Sequence, residues 1–133
     1  MHERRRLGRG VIGIAEHDGR YLMIQRSPHV SRPFTWCFPG GHIDPGETSR
    51  RAVIRELYEE LSVIVEPMAK LGFVRVPAFG YLLAAWRVRI VGGEVRPNPV
   101  EVHDARWCRP EELPSMQPAL SSNAIVFRWL GVD

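Results

Sequence analysis

The sequence predicts a mixed α/β fold in which one mixed β-sheet is covered by helices on both faces. Runs of branched and aromatic residues, typical of strands, dominate the first and middle parts of the chain. Segments with a helical period lie between these runs and at the end. Since the chain has 133 residues, 44% of them hydrophobic, and shows no repeat or linker, we expect a single domain over residues 1–133.

The chain opens with a predicted β-hairpin. Short apolar runs at residues 11–15 and 21–25 flank a polar, glycine-containing turn at 16–20. Two such runs joined by a tight turn are typical of a hairpin. Residues 27–33 then form a predicted loop.

Two long neighbouring strands are predicted in the middle of the chain. Residues 64–76 and 81–91 are rich in branched and aromatic side chains, and a Pro- and Gly-containing turn at 77–80 separates them. A short strand at 105–108 and a C-terminal helix at 118–130 complete the predicted elements.

Residues 36–48 form the predicted end of an apolar strand, followed by a loop punctuated by Gly and Pro. The paired glycines Gly40 and Gly41 allow the backbone to approach a ligand closely and to present a carbonyl or amide to it. Thr48 or Ser49 is the expected N-cap of the next helix. This segment therefore predicts a ligand-binding loop directly ahead of a helix.

The predicted helix carries three clustered glutamates. At about 100° per residue, Glu56 and Glu60 lie about 40° apart, with Glu59 about 60° to the other side of Glu56. We expect this acidic side to open to a cleft while the neighbouring apolar arc packs into the core. The apolar residues of that arc are Val53, Ile54, Leu57, Tyr58 and Leu61.

Three like charges this close repel one another, which is typical of a site where divalent cations neutralise them. Hard cations such as Mg²⁺ or Mn²⁺ prefer oxygen ligands and often share them with substrate phosphates. The alternative is a solvated face whose glutamates pair with Arg50, Arg51 and Arg55 at helical spacing. We favour the metal and phosphate site because the glycine loop and the helix form one constellation.

The loop and helix together resemble the Nudix box. After Gly41 the chain has five residues, Glu47, seven residues, and then Arg-Glu-Leu-Tyr-Glu-Glu-Leu from Arg55 onward. The family pattern is matched except at its last glycine, which is Ser62 here. Serine costs on the order of 1 kcal/mol if it keeps the left-handed geometry that glycine usually adopts; the alternative is that the helix ends differently. No metal ligand is lost. The resemblance implies that Arg55 pairs with Glu47 and holds the loop on the helix.

The resemblance also implies an α/β/α sandwich and the hydrolysis of a nucleoside diphosphate linked to another group, with Mg²⁺ or Mn²⁺ as cofactor. Carried over by position, Glu56, Glu59 and Glu60 are metal ligands or the water-activating base. The Gly40 carbonyl is a further ligand. Which carboxylate accepts the proton stays open, as does the phosphorus atom that is attacked.

Two sites outside the box follow from the same resemblance. Glu101 lies where a carboxylate on a distant loop often completes the metal site in this family, with Glu94 and Asp104 as rivals. Arg26, at the end of the second strand and facing the glycine loop, is placed to hold a phosphate by charge-assisted hydrogen bonds. For each of these residues the alternative is an ordinary surface charge.

The spacing of the arginine, the glycine loop and a C-terminal amide resembles MutT-type members, which hydrolyse purine nucleoside triphosphates, including 8-oxo-dGTP, to the monophosphate and pyrophosphate. An amide can present a donor and an acceptor to a base edge, and an aromatic ring can stack on the base. Phe79 and Tyr81 are alternatives for that ring. The amide is equally a candidate helix cap, and the aromatics are candidates for the core. The expected substrate-binding residues are Arg26, Phe38, Gly41 and Asn123.

Two other functions stay open. A Nudix hydrolase of a nucleotide sugar, ADP-ribose or a dinucleotide would carry the same box and differ in its loops. A non-catalytic Nudix domain that binds a nucleotide usually shows decay of the box glutamates, whereas Glu47, Glu56, Glu59 and Glu60 are all present here.

The net charge of +3 suits polyphosphate substrates but does not establish nucleic-acid binding. We expect a small-molecule nucleotide as partner, no stable nucleic-acid partner, no membrane, and a monomer or homodimer. The densest basic run, Arg4 to Arg6 with Arg9, is expected to be a solvated N-terminal arm.

Cys37 and Cys108 are far apart in sequence and form no Cys-x-x-Cys pattern, so reduced thiols in the cytoplasm are expected rather than a disulfide or zinc site. No sequence window is long enough to span a bilayer. Arg9 interrupts the apolar stretch 7–15, which leaves it too short for a secretion signal.

Overall fold

The computed structural model describes residues 8–76 and 80–132. The basic run Arg4 to Arg6 therefore lies outside the described residues, and so do residues 77–79 of the predicted turn at 77–80. The strands are β1 (Gly8–His17), β2 (Arg20–Arg26), β3 (Trp36–Cys37), β4 (Gly40–His42), β5 (Val63–Val76), β6 (Tyr81–Gly93) and β7 (Val102–Cys108). The helices are α1 (Ser49–Leu61), a 3₁₀ helix (Pro110–Ser115) and α2 (Asn123–Trp129).

The strands form one sheet in the order β3-β2-β1-β6-β5, with β4 also paired to β1 and β7 to β2. β1 and β6 run parallel, whereas the other pairs are antiparallel. The predicted mixed sheet is therefore confirmed. Within residues 8–76 and 80–132, no helix has the length and apolar character needed to cross a membrane.

β1 and β2 form the predicted hairpin, and both strands extend beyond the predicted ranges. At the turn, Asp18 and Gly19 have φ angles of 50° and 74°. Positive φ at both central residues is what a two-residue turn of the favoured type requires, and Gly and Asp tolerate it. The register Glu16↔Tyr21 and His17↔Arg20 follows from this turn.

The alternation of side chains along β1 places a helix on each face of the sheet. Val11 and Ala15 pack in one core cluster with residues of α1, whereas Ile12 and Ile14 pack in a second cluster with Val126 of α2. Successive residues of a strand point to opposite faces, so a single strand serves both cores. The predicted arrangement of helices on both faces is confirmed.

The buried stripe of α1 is narrower than predicted. Val53, Leu57 and Leu61 are fully buried, but Ile54 is only partly buried and Tyr58 is 59% exposed. The prediction that Tyr58 packs into the core is therefore wrong. Tyr58 follows Leu57 by about 100° around the helix axis, which takes it beyond the stripe that faces the sheet.

The C-terminal helix is shorter than the predicted range 118–130, because α2 begins only at Asn123. The residues ahead of it extend the sheet edge instead. Trp36 donates its N–H to the Pro118 carbonyl at 2.8 Å, and Leu120 donates to the Trp36 carbonyl at 3.2 Å. These backbone groups are therefore committed to β3 and cannot form the first helical turn. The 3₁₀ helix Pro110–Ser115 was not predicted.

Candidate active site

The predicted glycine loop is in part a strand, because Gly40 and Gly41 of β4 pair with Ile12 and Val11 of β1. The two backbones approach closely: a Cβ atom on Gly40 would lie 1.9 Å from the Val11 carbonyl oxygen. Glycine is therefore required for this segment to join the sheet. The strand pairing fixes both glycines at one place beside α1.

α1 begins at the first of the two predicted caps. Thr48 has extended backbone, and its side chain accepts a hydrogen bond from the Arg51 N–H at 3.2 Å. The helix ends at Ser62, whose φ of 61° is left-handed and whose N–H donates to the Tyr58 carbonyl at 2.9 Å. Serine therefore keeps the geometry that glycine usually adopts at this position.

Glu56 and Glu60 lie at the buried edge of α1 and are 8% and 5% exposed. Burial raises the pKa of Glu56 above its ordinary value. Burial and the neighbouring Glu56 charge raise the pKa of Glu60 well above its ordinary value. The acidic side of α1 is thus divided, because these two carboxylates are enclosed while Glu59 stays exposed.

The glycine strand contacts both enclosed carboxylates. The Gly40 N–H donates to Glu60 Oε1 at 2.7 Å. A Cβ atom on Gly41 would lie 2.4 Å from Glu56 Oε2, so any larger residue would displace this carboxylate. The glycine strand and α1 therefore lie together in one site, as predicted.

Arg55 joins the segment ahead of the helix to the carboxylates of α1. Its guanidinium donates to both oxygens of Glu47 at 2.8 Å, and to the His42 carbonyl at 2.9 Å. It also donates to Glu56 at 2.9 Å and to Glu59 at 3.2 Å. The Arg55–Glu47 pair implied by the family resemblance is present, and so is the alternative Arg–Glu pairing along the helix at Arg55 and Glu59.

No group of three or more His, Cys, Asp or Glu side chains in residues 8–76 and 80–132 is arranged to hold a metal ion. The described contacts give the reason. Arg55 engages Glu47, Glu56 and Glu59, while the Gly40 amide engages Glu60. In this arrangement the carboxylate oxygens that could bind a metal ion accept hydrogen bonds from Arg55 and from the Gly40 N–H instead.

Of the three candidate carboxylates outside the box, the structure brings Glu101 to the glutamates of α1. The Glu101 charge contributes to the raised pKa of both Glu56 and Glu60. Glu94 instead pairs with Arg96, and Asp104 pairs with Arg106. The Glu94 and Arg96 side chains are well exposed, whereas the Asp104 side chain is only 39% exposed.

A cavity of about 190 Å³ lies beside the glycine strand. Arg26 lines it and donates to the Ser31 carbonyl at 2.7 Å and to the Ser31 hydroxyl at 3.1 Å. The cavity brings together all four predicted substrate-binding residues. It is lined by Val11, Ile12, Ile24, Arg26, Ser31, Arg32, Cys37, Phe38, Gly40, Gly41, His42, Val76, Tyr81, Leu83, Leu120, Ser121, Ser122 and Asn123.

Asn123 is not the N-cap of α2, since that position is Ser122. It is 4% exposed, and its Nδ2 donates to the Trp36 carbonyl at 3.0 Å. Phe38 is buried and packs edge-on against Phe127, with 6.0 Å between ring centroids. Both residues therefore belong to the core and to the cavity wall at once.

Cys37 and Cys108 are buried free thiols, as predicted. Burial raises the pKa of Cys37 to about 12, so this thiol stays protonated although it lines the cavity.

Sequence reasoning missed Ser27 and Asn98 near the site, and it considered Tyr81 only for its aromatic ring. Ser27 is fully buried, and Asn98 is bonded to the end of α1. The Tyr81 hydroxyl is bonded to the His42 ring at the cavity wall. The Asn98-Pro99 pair is a turn signal that draws attention to the loop, but nothing local shows which element the loop contacts.

Comparisons with known proteins show which proteins this chain is similar to. A family model described as NUDIX domain matches residues 4–130. The MutT Nudix hydrolase of Burkholderia pseudomallei has a similar structure, with a TM-score of 0.77 and 29% identity over 92% of this chain and 97% of that one.

Two relatives of similar identity have different names. One is the NAD-capped RNA hydrolase NudC of Stutzerimonas stutzeri (strain A1501), 33% identical over 106 residues and 80% of this chain. The other is the CTP pyrophosphohydrolase of Escherichia coli (strain K12), 33% identical over 105 residues, which cover 77% of this chain and 76% of the relative. The match spans only 38% of the length of the NAD-capped RNA hydrolase.

Proposed function

This chain belongs to the Nudix family, and we propose that it is a pyrophosphohydrolase of nucleotide derivatives that uses Mg²⁺ or Mn²⁺. One observation carries the proposal: two buried glutamates, Glu56 and Glu60, abut the glycine strand beside a cavity. Buried carboxylates that repel each other are costly unless something neutralises them. A divalent cation shared with substrate phosphates supplies that neutralisation.

The side chains and backbone of this site offer oxygen ligands, which are the type that a hard cation prefers. Glu56, Glu60 and Glu101 supply carboxylate oxygens, and Glu101 lies close enough for its charge to act on the other two. Gly40 adds a backbone carbonyl, and Glu59 joins the set when it leaves Arg55. When bound, such a cation would neutralise charge on the pyrophosphate and would lower the pKa of the attacking water.

The residues of the chain then divide the remaining tasks. Arg55 and Glu47 hold the segment ahead of the helix in place, and Arg26, at the wall of the cavity, orients a phosphate. A carboxylate of α1 accepts the proton of the water that attacks phosphorus. The bond between that phosphorus and the bridging oxygen breaks, and the leaving group departs with the bridging oxygen as pyrophosphate or as the nucleoside monophosphate, depending on which phosphorus is attacked.

We take a purine nucleoside triphosphate as the substrate, cleaved to the monophosphate and pyrophosphate. The cavity, at about 190 Å³, is smaller than the roughly 300–1,000 Å³ that enclose a whole ligand. It therefore takes only part of the nucleotide: we place the base in it and the phosphates at its Arg26 wall. Because Asn123 Nδ2 is bonded to the Trp36 carbonyl, its Oδ1 is the acceptor for a base edge. Phe38 supplies an aromatic side to the same cavity.

A panel of nucleotides tests the proposal. Purified protein with Mg²⁺ is incubated with canonical and oxidised nucleoside triphosphates, nucleotide sugars, ADP-ribose and dinucleotides, and products are separated by chromatography. We expect monophosphate and pyrophosphate from a purine triphosphate. Turnover of linked diphosphates alone would keep the chemistry and discard this substrate. Tight binding with no turnover of any compound would favour a non-catalytic nucleotide-binding domain.

A dinucleotide is the second candidate substrate. It is favoured by sequence similarity: this chain is 33% identical to the NAD-capped RNA hydrolase, the same identity as to the CTP pyrophosphohydrolase. Hydrolysis of NAD to two mononucleotides in the same panel would decide for this candidate.

A further inference from the structure

The segment that carries Glu101 is held by two residues outside the predicted site. We propose that Ser27 and Asn98 are positioning residues that fix Glu101 relative to Glu60. The inference rests on the proposed function, in which Glu101 joins the carboxylates of α1 at the reaction centre.

Asn98 connects Glu101 to the end of α1. Its N–H donates to the Glu60 carbonyl at 2.8 Å, and its carbonyl accepts the N–H of Glu101 at 3.0 Å and that of Val102 at 2.8 Å. The backbone of Glu101 is therefore two hydrogen bonds away from the backbone of Glu60. The side chain adds to this arrangement, because Oδ1 accepts the Val100 N–H at 3.2 Å and Nδ2 approaches the Glu59 carbonyl at 3.5 Å.

Ser27 holds the same segment from the other side, at the end of β2 and next to Arg26. Its N–H donates to the Glu101 carbonyl at 3.0 Å, and its hydroxyl donates to the Val100 carbonyl at 2.6 Å. The same hydroxyl accepts the His29 N–H at 3.2 Å. Ser27 itself is fully buried, so its side of these bonds is shielded from competing water.

Apolar packing does not hold the segment between these two anchors. Val100, directly ahead of Glu101, is 62% exposed, and Pro99 is also exposed. Hydrogen bonds therefore fix the chain ahead of Glu101, whereas the buried Val102 fixes it on the other side. Loss of either side-chain anchor leaves the backbone bonds in place but allows the turn to relax, which moves Glu101 away from Glu60.

The test compares Ser27→Ala and Asn98→Ala with the matched control Arg96→Ala. Arg96 lies in the same loop and its side chain is 77% exposed, while its backbone N–H, which bonds the Leu61 carbonyl, is kept in the variant. Asn98→Ser provides a rescue, because a serine hydroxyl can accept the N–H two residues further along. Full-length proteins are compared by thermal melting, by Mn²⁺ titration calorimetry without nucleotide, and by kcat and KM on the best substrate.

For both alanine variants we expect Mn²⁺ affinity and kcat to fall by about 10- to 100-fold, with KM little changed, as for partners that orient metal ligands. Arg96→Ala should match the wild type, and Asn98→Ser should recover part of the loss. If either alanine variant fails to melt cooperatively, the inference depends on Asn98→Ser. That variant must then show lower kcat and lower Mn²⁺ affinity than the wild type, or the inference fails.

The outcomes separate the two proposals. If the wild type neither hydrolyses a nucleotide nor binds Mn²⁺, the proposed function fails and the inference fails with it. If the wild type is active but folded alanine variants match it in kcat and Mn²⁺ affinity, the inference alone is overturned. Equal losses in Arg96→Ala would also overturn it, because they would assign the effect to the loop in general.

Discussion

Arg55 and Glu47 form a two-pronged ion pair in which Nε meets Oε2 and Nη2 meets Oε1, each at 2.8 Å. Glu47 lies ahead of the helix and Arg55 within it, so the pair fixes the orientation of the segment that leads from the glycine strand to α1. The same guanidinium reaches the His42 carbonyl of β4. One side chain thus positions the glycine strand, the following loop and the carboxylates of the helix.

Arg55→Ala should lower the free energy of unfolding by about 2 kcal/mol, since hydrogen bonds to charged, partly buried groups each contribute more than neutral ones. Thermal and urea unfolding measure this change. The control is Arg89→Ala, which removes the well-exposed pair with Glu66 and should cost no more than about 1 kcal/mol. Equal losses in the two variants would contradict a special role for Arg55.

The stabilisation by Glu47 should depend on pH. Hydrogen bonds from Arg55 lower the pKa of Glu47 from 4.5 to about 2. Because the folded-state pKa is below the unfolded value, its stabilisation is fully present above pH 4.5 and is lost as the pH falls towards 2. Urea unfolding of the wild type and Glu47→Gln at pH 7 and near pH 3 should show a stability difference that shrinks at the lower pH. A difference that stays constant would exclude this linkage.

Glu60→Gln and Glu56→Gln should each reduce kcat by about 10²–10⁴-fold, the usual contribution of a group that handles the proton or the charge of the reaction. Without metal, the melting temperature of each variant should equal or exceed that of the wild type, because a neutral amide relieves the repulsion between two buried carboxylates. Its oxygen can still accept the Gly40 N–H in the Glu60→Gln variant. Melting in EDTA and turnover with Mg²⁺ check both parts. Wild-type turnover in either variant would remove that residue from the mechanism.

Gly41→Ala should reduce turnover strongly with little loss of stability, because the new methyl group would contact Glu56 Oε2 and push this carboxylate aside. Gly19→Ala is the opposite case. It meets no neighbouring atom but has a φ of 74°, so it should cost about 1 kcal/mol of stability and leave turnover unchanged. Paired melting and rate measurements distinguish the two effects. Unchanged turnover in a folded Gly41→Ala protein would show that Glu56 can move without loss.

Ser62→Gly should stabilise the protein by up to about 1 kcal/mol, since glycine adopts the left-handed conformation without steric cost, offset in part by the entropy of the unfolded chain. Turnover should not change, because no oxygen donor of the site is altered. A lower melting temperature in the glycine variant would mean that the serine side chain contributes a contact that offsets its backbone strain.

Local sequence signals determined much of the fold. The Asp-Gly turn specified the β1–β2 hairpin, branched and aromatic runs specified the long pair β5–β6, and Thr48 specified the start of α1. Each of these features depends on residues a few positions apart, so periodicity and turn chemistry suffice to predict them. The spacing of the glutamates likewise placed Glu56 and Glu60 together on one side of α1.

Tertiary structure decided what depends on contacts between distant segments. Pairing with Trp36 kept residues 118–122 out of α2, and the approach of β1 turned the glycine loop into a strand. The burial of Glu56 and Glu60, with Glu59 left outside, follows from how α1 lies against β4. No local pattern reports which backbone groups a remote strand will occupy, because those bonds form only when the chain is folded.

The sequence by itself determined a mixed α/β fold and a helix with clustered carboxylates behind a glycine pair. Only the tertiary structure brought the Glu101 charge to the carboxylates of α1, paired Glu94 and Asp104 with arginines, and brought Asn123 to the cavity. The physical reason is the distance along the chain between the residues in contact. Spacing along a helix or strand fixes which side chains are neighbours within an element. Sheet pairing and loop hydrogen bonds fix which elements face one another.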